Sequence, residues 1–225
     1  MNVENKELMS VLYLTESQQT ALNQGISRYI KNLKTNIHII FDLETNGLQC
    51  NKDSVLSISA QKVLITPDRS TSLIEKYTRY YYPQEEYNPK AIEVNGLDED
   101  TLIKLRCRSD FNGSYPTFFV DDFSSFAKFC SGCSNFIGHN IINFDLEWIS
   151  DKMIVENVFD TYTANYWVPA KYNISGKGPK LIHAIQFYNI DYNADNLHSS
   201  SYDVEMTRAV FESMLQLSTV RMKIL

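Results

Sequence analysis

The sequence predicts an α/β fold, a mixed five-stranded sheet flanked by helices, on three observations. Ile37-His38-Ile39-Ile40-Phe41 is an unbroken apolar, β-prone run, as in strands buried on both faces. Two further β-prone runs follow, Val55 to Ile65 and Leu73 to Tyr82, with Asn46-Gly47 as a turn signal and Pro83 as a stop. From Asn88 onward, helical patterns alternate with short strands at Asn135 to Gly138 and Val155 to Phe159. Hairpins first and alternation afterwards imply a mixed sheet with helices on its faces.

The helices follow from their end signals. Thr15-Glu16-Ser17-Gln18 reads as a capping box, after which Ala21, Leu22, Ile26, Tyr29, Ile30 and Leu33 recur at helical spacing. Residues 1–35 are therefore expected to be an N-terminal helical extension, packed on the domain's flank or docking a partner. Asn88-Pro89 starts a short helix and Gly96 stops it. Asp98-Glu99-Asp100 loads the first turn of the next with acid, as the helix dipole favours. Asp121 and Asp122 are expected to cap a third, whose apolar face of Phe123, Phe126, Ala127 and Cys130 ends at Gly132. Further helices are expected from about Phe144, over Leu181 to Phe187 and over Ser201 to Leu217. KYNISGKGPK, residues 171–180, reads as a polar, basic loop.

Composition narrows the function classes. The 225 residues are 44% hydrophobic and 21% charged, ordinary for a soluble globular chain. No apolar run is long enough to span a bilayer, and the N-terminus lacks a secretory pattern, so a cytoplasmic protein without a membrane partner is expected. The net charge of -6 argues against broad, non-specific binding to duplex nucleic acid. It is compatible with an enzyme whose site carboxylates are offset by bound cations. Cys130-Ser-Gly-Cys133 has C-x-x-C spacing, but no second pair completes a zinc site, so reduced structural thiols are expected.

Three blocks carry chemistry. In Phe41-Asp42-Leu43-Glu44-Thr45-Asn46-Gly47, two carboxylates at i and i+2 point to one face of a strand, roughly 7 Å apart at about 3.3 Å per residue. A buried strand end is costly for unpaired charge, so a cation, a hydrogen-bond network or a turn into solvent must accommodate them. In Gly138-His139-Asn140-Ile141-Ile142-Asn143-Phe144-Asp145, Asp145 follows a short strand. In His198-Ser199-Ser200-Ser201-Tyr202-Asp203, Asp203 heads the face formed by Thr207, Val210, Met214 and Leu217, with His198 just before the helix.

Together the blocks resemble the three exonuclease motifs of the DnaQ-like (DEDDh) 3'→5' exonucleases, in order, separation and underlying secondary structure. The resemblance covers about residues 37 to 217, and AIEVNGLDEDTL and VFDTYTANYW resemble further segments of that family. It departs in two places: one extra residue between Asn140 and Asp145, and Ser200 where the family usually has alanine. The resemblance implies an RNase H-like fold over residues 36–225 and an enzyme that releases nucleoside monophosphates from the 3' end of single-stranded DNA or RNA. It implies two divalent cations, Mg²⁺ or Mn²⁺, held by the hard oxygens of Asp42, Glu44, Asp145 and Asp203. Asp42 would bridge both, with Glu44 and Asp203 on one and Asp145 more peripheral. His198 would be the general base, work that suits an imidazole at neutral pH. Thr45, Asn46, Leu48 and Asn140 would contact the terminal nucleotide. Lys171, Lys177 and Lys180 either hold phosphates or form a solvated loop face. A polymerase or other protein partner is open, as are an exoribonuclease, an internally cutting nuclease and a non-catalytic binding module of the same fold.

Overall fold

The apolar run at Ile37 becomes the central strand of the sheet. The structure, a computed structural model, describes residues 13–108, 114–173 and 176–221. Its strands are β1 (Ile37–Thr45), β2 (Val55–Ile65), β3 (Thr71–Tyr80), β4 (Asn135–Gly138) and β5 (Asn157–Asp160). They form one five-stranded sheet in the order β3-β2-β1-β4-β5. β1 and β2 are antiparallel, as are β2 and β3, while β4 runs parallel to both β1 and β5. The mixed sheet expected from the sequence is present, and β1 continues past its apolar run to carry Asp42 and Glu44.

Seven α-helices are described: α1 (Glu16–Lys31), α2 (Pro89–Asn95), α3 (Glu99–Arg106), α4 (Phe119–Phe129), α5 (Thr161–Ala164), α6 (Leu181–Phe187) and α7 (Ser200–Leu217). The Thr15 capping box forms, with Gln18 N–H donating to Thr15 Oγ1 at 3.3 Å and Thr15 N–H to Gln18 Oε1 at 2.9 Å. Asn88 and Asp98 cap α2 and α3, and Gly96, at φ 67°, ends α2 in the left-handed region where glycine is least strained.

Two local expectations are corrected. Asp121 and Asp122 do not cap α4; its N-cap is Phe118, without a side-chain bond, and both acids lie inside the first turn. Asp122 is buried there and reaches across to β3, pairing with Arg79 and accepting from Tyr81 Oη at 2.9 Å. The helix expected from Phe144 is only a 3-10 turn, Asp145–Trp148. Phe144 and Ile149, at φ −138° and −128°, leave helical geometry on either side, and Trp148 and Ile149 both enter the core.

Alternation along β1 sorts the two faces. Ile39, Phe41 and Leu43 pack with Phe126 and Phe129 of α4. His38, Ile40, Asp42 and Glu44 face the other way, where Ile40 joins Leu22, Ile26, Tyr29, Val210 and Phe211 from α1 and α7. On this face Tyr29 Oη lies 2.7 Å from His38 Nδ1, and burial pushes the imidazole down to about 3. The C-x-x-C thiols are free and buried, and burial pushes Cys130 up to about 12. Among the described residues no helix is long and apolar enough to cross a membrane.

Because Ile26 is fully buried in a core shared with β1 and α7, Ile26→Ala should cost about 2–5 kcal/mol. Urea unfolding measures this; a loss below about 1 kcal/mol would mean that α1 contributes little to the domain.

Candidate active site

Three elements converge at the C-terminal end of β1. Asp42 and Glu44 project from β1 toward the first turn of α7, which supplies Asp203. One ligand atom from each of these three residues lies within 4.8 Å of the other two. Asp145 arrives from the 3-10 turn. β1 runs on beyond its pairing with β4, and the Leu43 N–H donates to Asp145 Oδ1 at 2.9 Å. A bulge between Glu44 and Thr45 then turns the strand into the Asn46-Gly47 loop.

His198 sits at φ 66° and donates its backbone N–H to Asp203 Oδ2 at 3.2 Å. Histidine is among the side chains that tolerate this left-handed region best. The bond ties the exposed His198 to the carboxylate cluster through the backbone. Asp203 Oδ1 is buried and has no protein partner. A buried carboxylate oxygen aimed at two other carboxylates fits a cation site, because hard oxygen donors suit such an ion and an unpaired one is costly.

Electrostatics point the same way. Burial, then Asp145, Glu44 and Asp203, hold Asp42 well above the usual carboxylate range. Burial, with Asp203 and Asp145, pushes Glu44 up to about 8, against a hydrogen bond from Asn95. Burial pushes Asp145 up to about 7 and Asp203 to about 6, each opposed by its backbone N–H bond. Four carboxyl groups with raised affinity for protons form a site that a divalent cation would relieve.

The residues expected to meet a nucleotide divide. Leu48 is 80% exposed. Asn140 is half-exposed, with its amide oxygen accepting from Asn143. Thr45 is buried and donates its hydroxyl to Gly47 O at 2.5 Å. Asn46 is held in the scaffold. It is 1% exposed, donates to Glu85 Oε1 and Glu86 O, both at 2.8 Å, and accepts from Asn88 N–H at 2.9 Å. A Cβ at Gly47 would lie 2.2 Å from Asp53 Oδ2, so a larger residue there would displace the Asp53 carboxylate. Lys171 is exposed over the Tyr172 ring, and Lys180, also exposed, heads α6.

Sequence reasoning missed four supporting residues. Asn95, at the end of α2, bonds Glu44 and donates to Thr45 O at 3.1 Å. Ser57 and Ser59 on β2 lie in register with Glu44 and Asp42, and both bond the Ser200 hydroxyl, Ser59 at 2.8 Å. Asp160, at the end of β5, accepts backbone N–H groups from the Asn140–Ile142 loop. Its one local signal is an acid followed by threonine, an N-cap pattern.

The raised carboxylates set a pH dependence. A folded-state pKa above the unfolded value adds stability that is lost as pH rises through the folded value. Without divalent cations, the melting temperature should therefore fall between about pH 6.5 and pH 8, as Asp145 and Glu44 ionise while the buried His38 and His139 are already neutral folded or unfolded. Mn²⁺ should raise it more at pH 8 than at pH 5.5. A metal-free melting temperature that rises across this window contradicts the electrostatic reading.

No family model matches the chain. It is similar to DNA polymerase III PolC-type of Staphylococcus epidermidis, 24% identical over 195 residues, covering 83% of this chain and 12% of that protein. The same protein of Staphylococcus saprophyticus is 24% identical over 194 residues, covering 82% and 12%. The chain thus spans about 12% of the length of the curated relatives it matches. E. coli exonuclease I in complex with a dT13 oligonucleotide superposes with a TM-score of 0.58 at 16% identity, covering 79% of this chain and 40% of that one. Exonuclease X in complex with 5' overhanging duplex DNA gives 0.55 at 15% identity, covering 82% and 96%. The DnaQ-like resemblance carried by the three motifs thus extends to the fold, and the chain has the RNase H-like architecture of exonucleases I and X.

Proposed function

We propose that this chain is a metal-dependent 3'→5' exonuclease that hydrolyses phosphodiester bonds from the 3' end of single-stranded nucleic acid and releases nucleoside monophosphates. The observation that carries the reading is the meeting of Asp42, Glu44 and Asp203 within 4.8 Å, from motifs far apart in sequence, with Asp203 Oδ1 unpartnered. The DNA complexes of the exonuclease I and X neighbours favour DNA over RNA. The PolC-type relatives make a polymerase partner a reasonable companion reading.

The chain's own groups divide the work. Asp42, Glu44 and Asp203 would hold a divalent cation, with Asp145 available at the edge of the cluster, and Mg²⁺ or Mn²⁺ would suit such an all-oxygen set. Bound cations supply charge neutralisation at the phosphate, an activated water and stabilisation of the leaving oxygen. His198, exposed at the rim and joined to Asp203 through its backbone, accepts the proton of the attacking water at an imidazole nitrogen. Leu48 lies against the terminal base without reading its edge, which suits sequence-independent trimming.

A 5'-labelled single strand with Mg²⁺ or Mn²⁺ should yield a ladder of one-nucleotide steps; scattered internal fragments or an intact strand would reject the proposal. Asp42→Ala should abolish the ladder while the protein stays folded. His198→Ala should lose about 10²–10⁴ in turnover while keeping Mn²⁺ binding and strand affinity. Near-full turnover of His198→Ala would assign the base to another group.

A further inference from the structure

The second motif is one residue longer between Asn140 and Asp145 than the form usual in the family, yet Asp145 still reaches the Leu43 N–H. The extra length is taken up in a tight turn. Asn140 adopts φ 66°, its carbonyl accepts from Asn143 N–H at 3.1 Å, and its side-chain oxygen accepts from Asn143 Nδ2 at 2.9 Å. Ile141 folds back under the end of β4, where a Cβ on Gly138 would lie 2.6 Å from that of Ile141. Leu146 N–H closes the turn on Ile141 O at 3.0 Å. Ile142 and Asn143 are turned outward, Ile142 50% exposed.

Such a turn leaves backbone N–H groups pointing inward, and one side chain collects them. Asp160 is 3% exposed and lies in register with Gly138 across the β4–β5 pair. Its Oδ1 accepts from Asn140 N–H at 2.9 Å and its Oδ2 from Ile142 N–H at 3.3 Å. The same carboxylate caps α5, accepting from Tyr162 N–H at 2.8 Å and Thr163 N–H at 3.4 Å. Thr161 adds a second tie, donating to Gly138 O at 3.1 Å and lying 3.0 Å from His139 Nδ1. The loop that delivers Asp145 is thus gripped from β5 and hangs on one buried carboxylate.

We infer that Asp160 is a positioning residue of the active site: by holding the Asn140 and Ile142 N–H groups it sets where Asp145 stands relative to β1. It touches neither substrate nor cation and acts through the loop. The inference rests on the exonuclease reading for its turnover arm but not for its metal arm.

The two duties of Asp160 can be separated. Asp160→Ser keeps a hydroxyl that caps α5 but is too short and too poor in acceptors to span to Asn140 and Ile142 as well. Asp160→Asn keeps one oxygen in the place of Oδ1, for Asn140 and Tyr162, and loses the acceptor for Ile142. Asp160→Ser should melt within a few degrees of wild type yet lose about 10–100-fold in kcat on a labelled single strand, with KM within about twofold, since an ångström of misplacement is costly. Its melting shift in Mn²⁺ should shrink, and Asp160→Asn, which still lacks the acceptor for Ile142, should recover only part of both losses. Asp160→Ser with wild-type kcat and a full Mn²⁺ shift overturns the inference and leaves Asp160 a helix cap. If Asp160→Ser does not fold, Asp160→Asn decides: a kcat loss with a reduced Mn²⁺ shift supports the inference, and wild-type values for both overturn it. The Mn²⁺ shift needs no turnover, so a wild type without exonuclease activity would sink the exonuclease reading while the shift alone judged the clamp.

Discussion

Four carboxyl groups brought together with few cationic side chains to balance them repel one another, and partial burial sharpens the repulsion. Burial is the first cause that pushes Glu44, Asp145 and Asp203 up to about 8, 7 and 6, and at Glu44 the charges of Asp203 and Asp145 add to it. Nothing in local sequence preference favours such an arrangement. It exists because a rigid sheet and a long helix force it, and because the fold is stable enough elsewhere to bear the strain. Much of the architecture can be read as a device for holding these groups still.

The sheet does this by placing β1 at its centre. Packed between β2 and β4, with α4 on one face and α1 and α7 on the other, β1 has little freedom to tilt. Apolar Ile40 anchors the same face that carries Asp42 and Glu44, so the change from core to site occurs within a single strand. The first turn of α7 is seated by hydroxyls, with Ser200 bonded to Ser57 and Ser59 one turn before Asp203. Small side chains there let the helix approach the strand closely. The hydroxyls satisfy each other, as buried polar groups must. Where the family usually has alanine, Ser200 therefore has an explanation in its partners on β2.

The parts of the fold that local pattern controls were legible in the sequence. The boundaries of β2, β4, α2 and α6 follow from β-branched runs, Asn-Pro and Gly signals, and helical spacing. The carboxylates were legible because a strand places i and i+2 on one face, and because three motifs in the right order are hard to match by chance. What escaped is what depends on partners distant in sequence. Asp122 looked like a cap and is a buried tie to Arg79 on β3 and to Tyr81 just after it. The bonds of the Asn46 amide to Glu85, Glu86 and Asn88 likewise had no local signal. The helix expected at Phe144 shortened to a turn because consecutive Trp148 and Ile149 both enter the core. Asp160 carried only a capping pattern, and its bonds to Asn140 and Ile142 cross from one strand end to another.

The central claim is that the carboxylates hold protons which a divalent cation displaces, so metal binding and proton release are one event. Calorimetric titration of Mn²⁺ at pH 7, in two buffers of different ionisation enthalpy, measures that release directly. Release of about one proton or more per chain, growing smaller toward pH 9, is the predicted result. Tight Mn²⁺ binding with the same heat in both buffers would contradict it, and would mean that the carboxylates are already ionised and separately satisfied before the cation arrives.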